Sequence, residues 1–438
     1  MGMLNNPWFR VKVHREMQGD TPYIKFEHPT QAGNQGGGWM LRMKGHPSLT
    51  APVIAIDNAV TAPPPPEEPK VTKPTLLSSA KKVTYSMEEI RKHNTPESTW
   101  FVVKGRVYDA TAFLKIHPGG SDSIILSAGQ DATEEFEAIH SKKAWDQLEE
   151  YYIGDLISDD DATSVSSRDD TSDSSSHGML IALDPRNRIP FKMVQKTKLS
   201  PDSFRLRFEL QSPDHILGLP VGQHMLFSKR VDGKLVMRAY TPITSDREVG
   251  FFDLVIKVYY PTPEFPDGGK MSQILGALEE GDTVDVKGPM GHVTYPSAGL
   301  IRLHDQPYQV KSFTLLCAGT GITPIFQILR AVLRNGHDPT PLFVLYGNRN
   351  EDDILLRTEL TDLATAHPKQ LRLFFTLTNP PANWTGEKGR VNSEMIRCLC
   401  PAGADGNFAL LCGPKPFEDS CIQALHNYGY DTKHCVTF

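Results

Sequence analysis

Two histidines in the middle of the sequence stand in surroundings that suit ligation of an iron ion. His117 is followed by Pro118, Gly119 and Gly120, and His140 lies 23 residues further on. Imidazole is a good ligand for haem iron, and two axial imidazoles leave no position open for oxygen, so such an iron can only exchange electrons. The proline and glycines favour a tight turn that lets the backbone approach a flat macrocycle. Taken alone, either histidine is more often a structural or surface residue.

A second group of residues has the chemistry to bind a flavin nucleotide. Arg238, Tyr240 and Thr241 stand on one predicted strand, where alternation would place a basic, an aromatic and a hydroxyl group on one face. An arginine there can bind a pyrophosphate, a tyrosine can stack along the flavin, and a hydroxyl can hydrogen-bond near its ring. The alternative is an ordinary strand whose Arg and Tyr face solvent. A helix predicted to follow would offer its free N–H groups to a phosphate through Gly269, Lys270, Met271 and Ser272.

A glycine-rich turn near the middle of the C-terminal half suits a dinucleotide. Gly319 and Gly321 follow a predicted strand, and a helix is expected from Ile325 after Thr323-Pro324. Such a turn between strand and helix can hold a pyrophosphate, although a lone Gly-x-Gly is weak support.

The identity of the nucleotide stays open. Asp353 follows the next predicted strand and favours a free 2′-hydroxyl on the adenine ribose, whereas Arg349 would accept a 2′-phosphate. The sequence therefore predicts NAD(P)H without separating NADH from NADPH.

The elements that must position these residues indicate three folds. Residues 81–157 mix short strands with helices expected over 86–93 and 132–139, which predicts a small α+β domain. Residues 179–300 contain alternating apolar runs broken by Gly and Pro, as in an antiparallel β-barrel. Residues 301–438 alternate strands and helices, which predicts an α/β unit with a parallel sheet. Its predicted strands are 312–317, 342–346, 371–376 and 408–412.

Composition narrows the class of protein. The chain has 438 residues and a net charge of −6, which argues against a nucleic-acid partner. No apolar stretch is long enough to cross a bilayer, so no membrane association is expected. All six cysteines lie in the last third without paired CxxC units, which suits reduced thiols in a cytoplasmic protein. The segments 47–80, rich in Pro, and 158–178, rich in Ser and Asp, are predicted to be linkers.

The central unit resembles cytochrome b5 domains over its whole length. The resemblance rests on the His-Pro-Gly-Gly turn, on the Val-Tyr-Asp-Ala-Thr-Ala-Phe-Leu segment before it, and on the Glu-Glu-Phe segment before His140. It implies that a b-type haem is bound with His117 and His140 as axial ligands. Phe113, Ile125 and Phe136 are then plausible wall residues, although core packing explains each of them equally well.

The two C-terminal units resemble cytochrome b5 reductases and the wider ferredoxin reductase superfamily. The segments Arg-Ala-Tyr-Thr, Gly-Gly-Lys-Met-Ser and Gly-Thr-Gly-Ile-Thr-Pro carry this likeness, with Cys-Gly-Pro-Lys-Pro at 412–416. The resemblance implies FAD binding, with Val255 and Lys257 in the flavin unit. It also implies that Thr323 and Cys412 line the place where nicotinamide meets flavin, with Lys257 nearby. The family usually has Pro where Lys415 stands, which leaves the local turn geometry in doubt.

Residues 1–46 are similar to the tail of the molybdenum-domain dimerisation module of eukaryotic assimilatory nitrate reductases. This family likeness implies electron flow from NAD(P)H through FAD to haem, and in the full enzyme onward to a molybdenum centre that reduces nitrate to nitrite. Molybdopterin would belong only to a further N-terminal domain, so the chain is expected to be part of a homodimeric enzyme. The alternative is a free-standing fusion of cytochrome b5 with its reductase, serving a desaturase or hydroxylase. A non-enzymatic binding unit would predict loss of one axial histidine, and both are present.

Overall fold

The computed structural model describes residues 83–157 and 180–438, together with three strands near the start of the chain. The chain divides into two compact units, residues 1–78 and 79–438. In the first, β1 (Lys12–Gln18), β2 (Thr21–Glu27) and β3 (Met40–Leu41) pair antiparallel in that order. Both predicted linkers, 47–80 and 158–178, lie outside the described residues.

Residues 83–157, which we call the haem unit, form a five-stranded sheet with short helices packed against it. The strand order is β4-β8-β7-β6-β5. The helix predicted over 86–93 is shorter than expected, because Ser86 caps it and the amides of Lys92 and His93 bond three residues back, in turns. The elements of the haem unit are β4 (Thr84–Tyr85), α1 (Met87–Ile90), β5 (Asn94–Thr95), β6 (Ser98–Val103), β7 (Arg106–Asp109), α2 (Ser121–Ile125), α3 (Thr133–Ile139), α4 (Lys142–Leu148) and β8 (Tyr152–Leu156).

The middle of the second compact unit is a six-stranded antiparallel sheet, which we call the barrel unit. Its strand order is β12-β11-β14-β9-β10-β13. Period-2 alternation on β10 buries Leu206 and Phe208, which pack with Phe191, Phe227 and Phe252 in the core. Its elements are β9 (Ile189–Ser200), β10 (Ser203–Glu209), β11 (His224–Val231), β12 (Lys234–Tyr240), β13 (Phe251–Lys257), α5 (Lys270–Ala277) and β14 (Thr283–Met290). A small antiparallel sheet follows, formed by β15 (Val293–Ser297), β16 (Leu300–Leu303) and β17 (Gln306–Gln309).

The C-terminal part, which we call the parallel-sheet unit, confirms the predicted α/β fold. Its six strands run parallel in the order β21-β20-β19-β18-β22-β23. The order reverses at β18, so a crevice is expected outside the carboxyl ends of β18 and its neighbours. Its elements are β18 (Ser312–Ala318), α6 (Ile322–Arg334), β19 (Leu342–Asn348), α7 (Arg357–Ala366), β20 (Leu371–Leu377), β21 (Glu387–Lys388), α8 (Ser393–Leu399), β22 (Asn407–Cys412), α9 (Lys415–Asn427) and β23 (Cys435–Thr437).

Helix α6 begins three residues before the predicted start. Thr323 and Pro324 lie in its first turn, where a proline is tolerated because that N–H has no partner within the helix. Short 3-10 turns complete the fold at Thr111–Phe113, Glu149–Tyr151, Gly319–Gly321, Glu351–Asp353 and Thr432–His434. In the described part of the chain, no helix is both long and apolar enough to cross a membrane.

Candidate functional site

The two candidate iron ligands face each other across a gap of the right size. His117 lies in the turn before α2, and His140 ends α3. Their ring centres are 6.1 Å apart. An iron bonded to one nitrogen of each ring at roughly 2 Å would separate the ring centres by about 6 Å. The pair therefore fits a six-coordinate iron held between two imidazoles.

Hydrogen bonds fix which nitrogen of each ring is available. Nδ1 of His117 lies 2.9 Å from the carbonyl oxygen of Gly120, and Nδ1 of His140 lies 3.1 Å from that of Phe136. Since a carbonyl only accepts, both Nδ1 atoms donate, which leaves each Nε2 unprotonated and free to bind metal. Burial lowers the pKa of both imidazoles, which keeps them in the neutral, ligating form.

The walls of this gap are apolar. Phe113, Ile125 and Phe136 are partly buried against the core of the unit. The ring of Phe136 stacks on His140 with centres 4.0 Å apart. These contacts suit both the predicted wall role and simple core packing.

The candidate flavin residues lie at the end of β12. The strand ends at Tyr240, so alternation relates only Arg238 and Tyr240, and Thr241 opens the following turn. Arg238 is exposed, Tyr240 is half-buried against Phe227, and Thr241 is buried. The prediction that all three share one strand face is wrong, because Thr241 directly follows Tyr240 and adjacent strand residues point to opposite faces. An arginine and a tyrosine nevertheless remain on one face.

The start of α5 lies close to the end of β13. Gly268 has φ +60° and Gly269 is the N-cap, where a Cβ would lie 2.6 Å from the hydroxyl of Ser272. That hydroxyl accepts the Tyr259 amide at 3.1 Å and donates to the Gly269 carbonyl at 2.8 Å. Lys270 is exposed and Met271 is buried in the barrel core. The turn is therefore held rigidly with its backbone N–H groups at the helix start.

The glycine turn after β18 contacts the end of β22. A Cβ on Gly321 would lie only 2.1 Å from the carbonyl oxygen of Cys412, so this approach requires glycine. Gly319 has φ +55°, and its carbonyl accepts the Tyr346 hydroxyl at 2.8 Å. Thr323 is buried in the first turn of α6. The structure thus brings Gly319, Gly321, Thr323 and Cys412 together in the predicted crevice.

The surroundings of the Cys412 thiol favour its protonated form at physiological pH. Burial raises its pKa to about 12, and a thiolate is the reactive form. Lys415, whose effect on the turn was in doubt, is the first residue of α9 and pairs with Asp419 at 2.7 Å. The turn therefore leads into a helix with Lys in place of the second proline.

Comparisons with known proteins agree with this division into sites. Residues 86–157 match the cytochrome b5-like heme/steroid binding domain, residues 190–295 the oxidoreductase FAD-binding domain, and residues 315–423 the oxidoreductase NAD-binding domain. The structure of the cytochrome b5 reductase domain of Ulva prolifera nitrate reductase is 39% identical, with a TM-score of 0.57. The alignment covers 59% of this chain and 99% of that one.

The chain belongs to the nitrate reductase family. A nitrate reductase [NADH] from Phaseolus vulgaris is 44% identical over 99% of this chain, and one from Cucurbita maxima is 42% identical over 100% of it. The chain spans about half the length of these relatives, 49% and 48% respectively. It is an oxidoreductase. Its cofactors are haem and FAD, and its nucleotide substrate is NAD(P)H. Electrons pass from the nucleotide through FAD to haem.

Lys257 joins the barrel unit to the parallel-sheet unit. Its ammonium lies 2.5 Å from Asp353 and 3.1 Å from Asp202. Asp353 also accepts the Asn350 amide at 3.0 Å. The carboxylate predicted to bind the adenine ribose therefore already has protein partners, and a ribose hydroxyl would share it with Lys257.

Three residues that lie near these candidate sites were not predicted from the sequence. Asn348 is buried at the carboxyl end of β19, where its side chain lies close to the Tyr346 hydroxyl. Its position at the end of an apolar strand was the feature of the sequence that could have indicated a role in the site. Asp202 and Tyr259 gave no such signal, because their partners are distant in sequence. The Tyr259 hydroxyl shares a hydrogen bond of 3.2 Å with the Thr320 hydroxyl, and either group can be the donor.

Helix α3 docks on the barrel unit through opposite charges. Glu135 lies 3.0 Å from both Arg188 and Lys287, and Glu134 lies 2.5 Å from Arg230. Arg238 also donates to the carbonyl oxygen of Ala138, two residues before His140, at 3.1 Å. A candidate phosphate-binding arginine therefore touches the helix that ends in an iron ligand.

Proposed function

We propose that this chain forms the nucleotide, flavin and haem part of an enzyme that reduces nitrate to nitrite at a molybdenum centre. The observation that carries the electron-transfer part is the pair of free Nε2 atoms of His117 and His140, the second of which ends the helix docked against the candidate flavin strand. When bound, FAD supplies an acceptor for the two electrons of a hydride and haem supplies a one-electron carrier.

In the haem unit, His117 and His140 would hold the haem iron. The Gly120 and Phe136 carbonyls orient their rings through Nδ1, so neither imidazole can rotate freely. With both imidazoles bound to it, the iron would have no position open to oxygen, so the group would supply one-electron transfer only.

In the barrel unit, Arg238 and the start of α5 bind the phosphates of FAD. The Arg238 guanidinium supplies charge, and Gly269, Lys270, Met271 and Ser272 present helix N–H groups. Tyr240 and Thr241 would contribute side-chain contacts to the flavin, and Val255, which is buried in the core, would contribute apolar packing to the same site. Lys257, at the end of β13, stands where the barrel meets the parallel-sheet unit.

In the parallel-sheet unit, Gly319 and Gly321 admit the nucleotide pyrophosphate to the start of α6. Thr323 and Cys412 orient the nicotinamide, and the buried amide of Asn348 binds the nucleotide. Cys412 acts by its size and position as a protonated thiol. Proximity of this kind provides much of the rate when the reacting atoms are held roughly 3 to 3.5 Å apart.

The rest of the enzyme is assigned by likeness to the full-length relatives. The match extends over 99% of this chain, including the segment before residue 83, which favours the nitrate-reducing role over a cytochrome b5 reductase fusion for a desaturase or hydroxylase. We infer a molybdopterin domain, a homodimer and a cytoplasmic location for that enzyme.

The visible spectrum of histidine variants tests the assignment. His117→Ala and His140→Ala each remove an axial ligand, so both variants should lose the low-spin bis-imidazole spectrum and cytochrome c reduction. Direct ferricyanide reduction at the flavin should persist. His337→Ala, which removes an exposed histidine of the parallel-sheet unit, is the control. A normal bis-imidazole spectrum in either ligand variant would show that the ligands are misassigned.

A further inference from the structure

One face of α6 is fastened to the barrel unit by three side chains about one turn apart. Gln327 accepts the buried Gly222 amide at 2.7 Å. Arg330 donates to the carbonyl oxygen of Ile243 and to Glu248, the latter at 2.5 Å. Arg334 reaches the same carboxylate oxygen of Glu248 at 3.3 Å. Spacing of three and four residues places all three on one side of the helix.

Glu248 is also held in place by hydrogen bonds from Ser245, three residues before it in the chain. Its other carboxylate oxygen accepts the amide and hydroxyl of Ser245 at 2.8 and 2.7 Å. Burial alone would raise the pKa of Glu248, but the hydrogen bonds from Ser245 and Arg330 outweigh it and lower the pKa to about 2. The carboxylate is therefore charged at any working pH and has little freedom to move.

Arg330 connects the two sites between which the hydride must travel. Ile243 lies two residues after Thr241, and its amide bonds to the Asp253 carbonyl on β13 at 2.9 Å. At the other end of the connection, α6 carries Thr323 in its first turn, two turns before Arg330. A rigid helix thus runs from the nicotinamide site to the segment that leaves the flavin site.

We propose that Arg330 is a positioning residue for hydride transfer, which sets the separation of the nicotinamide and flavin sites by holding Ile243 and Glu248 against α6. This inference rests on the proposed function. The Arg330 side chain is only 14% exposed. It lies at the rim of a cleft between the barrel unit and the parallel-sheet unit, away from Cys412. Arg330 therefore acts through the relative placement of the units and touches no reacting atom.

A purely structural ion pair is the competing interpretation, and a double variant separates the two. Removing one partner of a buried pair leaves an uncompensated charge and costs stability, whereas removing both is often nearly neutral. Arg330→Met should therefore lower the melting temperature, and Arg330→Met/Glu248→Gln should recover most of it. Only a positioning role predicts that the double variant stays slow.

The experiment is anaerobic stopped-flow reduction of the flavin by NADH and by NADPH in the haem-loaded, FAD-loaded chain. In Arg330→Met and in the double variant, the limiting rate should fall about 10- to 100-fold, because small misplacements of reacting groups carry costs of that order. The nucleotide concentration giving half the limiting rate should change little. Arg330→Lys, which can bond either Glu248 or Ile243, should be intermediate. Lys192→Met, which breaks an ion pair to Glu209 within the barrel unit, is the control.

Hydrogen exchange supplies a readout independent of turnover. Without nucleotide, the amides of residues 243–248 should exchange faster in both variants than in the wild type, because Arg330 no longer fastens this segment to α6. A double variant that regains both stability and the wild-type limiting rate would overturn the positioning role. So would Arg330→Met with an unchanged limiting rate, provided that the wild type is reduced normally. If nucleotide fails to reduce the wild-type flavin, the proposed function falls and the inference falls with it.

Discussion

Cys412 shows how burial limits what a single residue can do. Its thiol lies at the end of β22, beside the Gly321 turn, and its raised pKa keeps it protonated. The raised pKa suits the proposed positioning role better than a role as a thiolate nucleophile. The alternative is a buried cysteine that acts only as a small apolar side chain.

Replacing this residue separates the two roles. Cys412→Ser should slow flavin reduction by NAD(P)H about 10-fold or more, while FAD content and the haem spectrum stay intact, because the smaller oxygen alters the nicotinamide position. Stopped-flow flavin bleaching measures the effect. Cys398→Ser, at an exposed cysteine on α8, serves as the control. An unchanged rate in fully flavinated Cys412→Ser would favour the packing role.

The pKa of Cys412 also predicts a pH dependence. Because burial disfavours the thiolate and raises the pKa to about 12, the thiol stays protonated from pH ~6 to ~9, whereas an ordinary cysteine titrates near ~8.5. Iodoacetamide should modify exposed Cys398 much faster than Cys412 over this range, as peptide mass spectrometry would show. Modification of Cys412 that rises tenfold per pH unit to a plateau near pH ~8.5 would contradict the raised pKa.

At the scale of elements, the docking of α3 on the barrel unit is polar and water-accessible. Besides the ion pairs of Glu134 and Glu135, a cavity of about 370 Å³ lies between α3 and the basic residues Arg188 and Lys287. Interfaces of this type associate through complementary charge and weaken as salt screens them. The structure therefore favours reversible docking of the haem unit.

Reversing one charge tests this interface. Glu135→Lys places a third cation beside Arg188 and Lys287, so haem-dependent cytochrome c reduction should fall about 10-fold while ferricyanide reduction is spared. Glu137→Lys, on the same helix but paired with Lys104 within the haem unit, is the matched control. Equal loss in both variants would contradict a specific docking role for Glu135.

Raising the salt concentration gives an independent check on the same surface. Wild-type cytochrome c reduction through haem should slow steadily with added NaCl, because the ion pairs between α3 and the barrel are screened. Direct ferricyanide reduction does not need this docking and is compared at each salt concentration. A haem-dependent rate that follows the ferricyanide rate at every salt concentration would rule out electrostatic docking as the controlling step.

The sequence predicted the elements better than their contacts. Apolar runs located β18, β19, β20 and β22 within one or two residues, because buried parallel strands are continuous apolar segments. The start of α6 was placed too late, because Pro324 is compatible with a first helical turn. The pairs Lys257–Asp353, Glu135–Lys287 and Arg330–Glu248 were not predictable, since each joins residues at least 82 positions apart and depends on how separate units pack.

At the scale of the molecule, the sites form one sequence of contacts. The turn at Gly321 meets Cys412, α6 is fastened to the segment after β12, and Arg238 at the end of β12 bonds the helix that ends at His140. These contacts connect the candidate nucleotide crevice to the candidate iron ligands through the barrel unit. The order of electron transfer follows from this arrangement, with the flavin site between the other two.

The most direct test of this account is the order in which the flavin and haem absorbances change. Purified chain loaded with one haem and one FAD is mixed anaerobically with excess NADH or NADPH and followed by stopped-flow spectroscopy. The account predicts that flavin bleaching comes first and that the reduced-haem band grows in a later phase, which His140→Ala abolishes without slowing the first phase. Haem reduction that precedes flavin bleaching, or that proceeds at the same rate in protein stripped of FAD, would contradict the account.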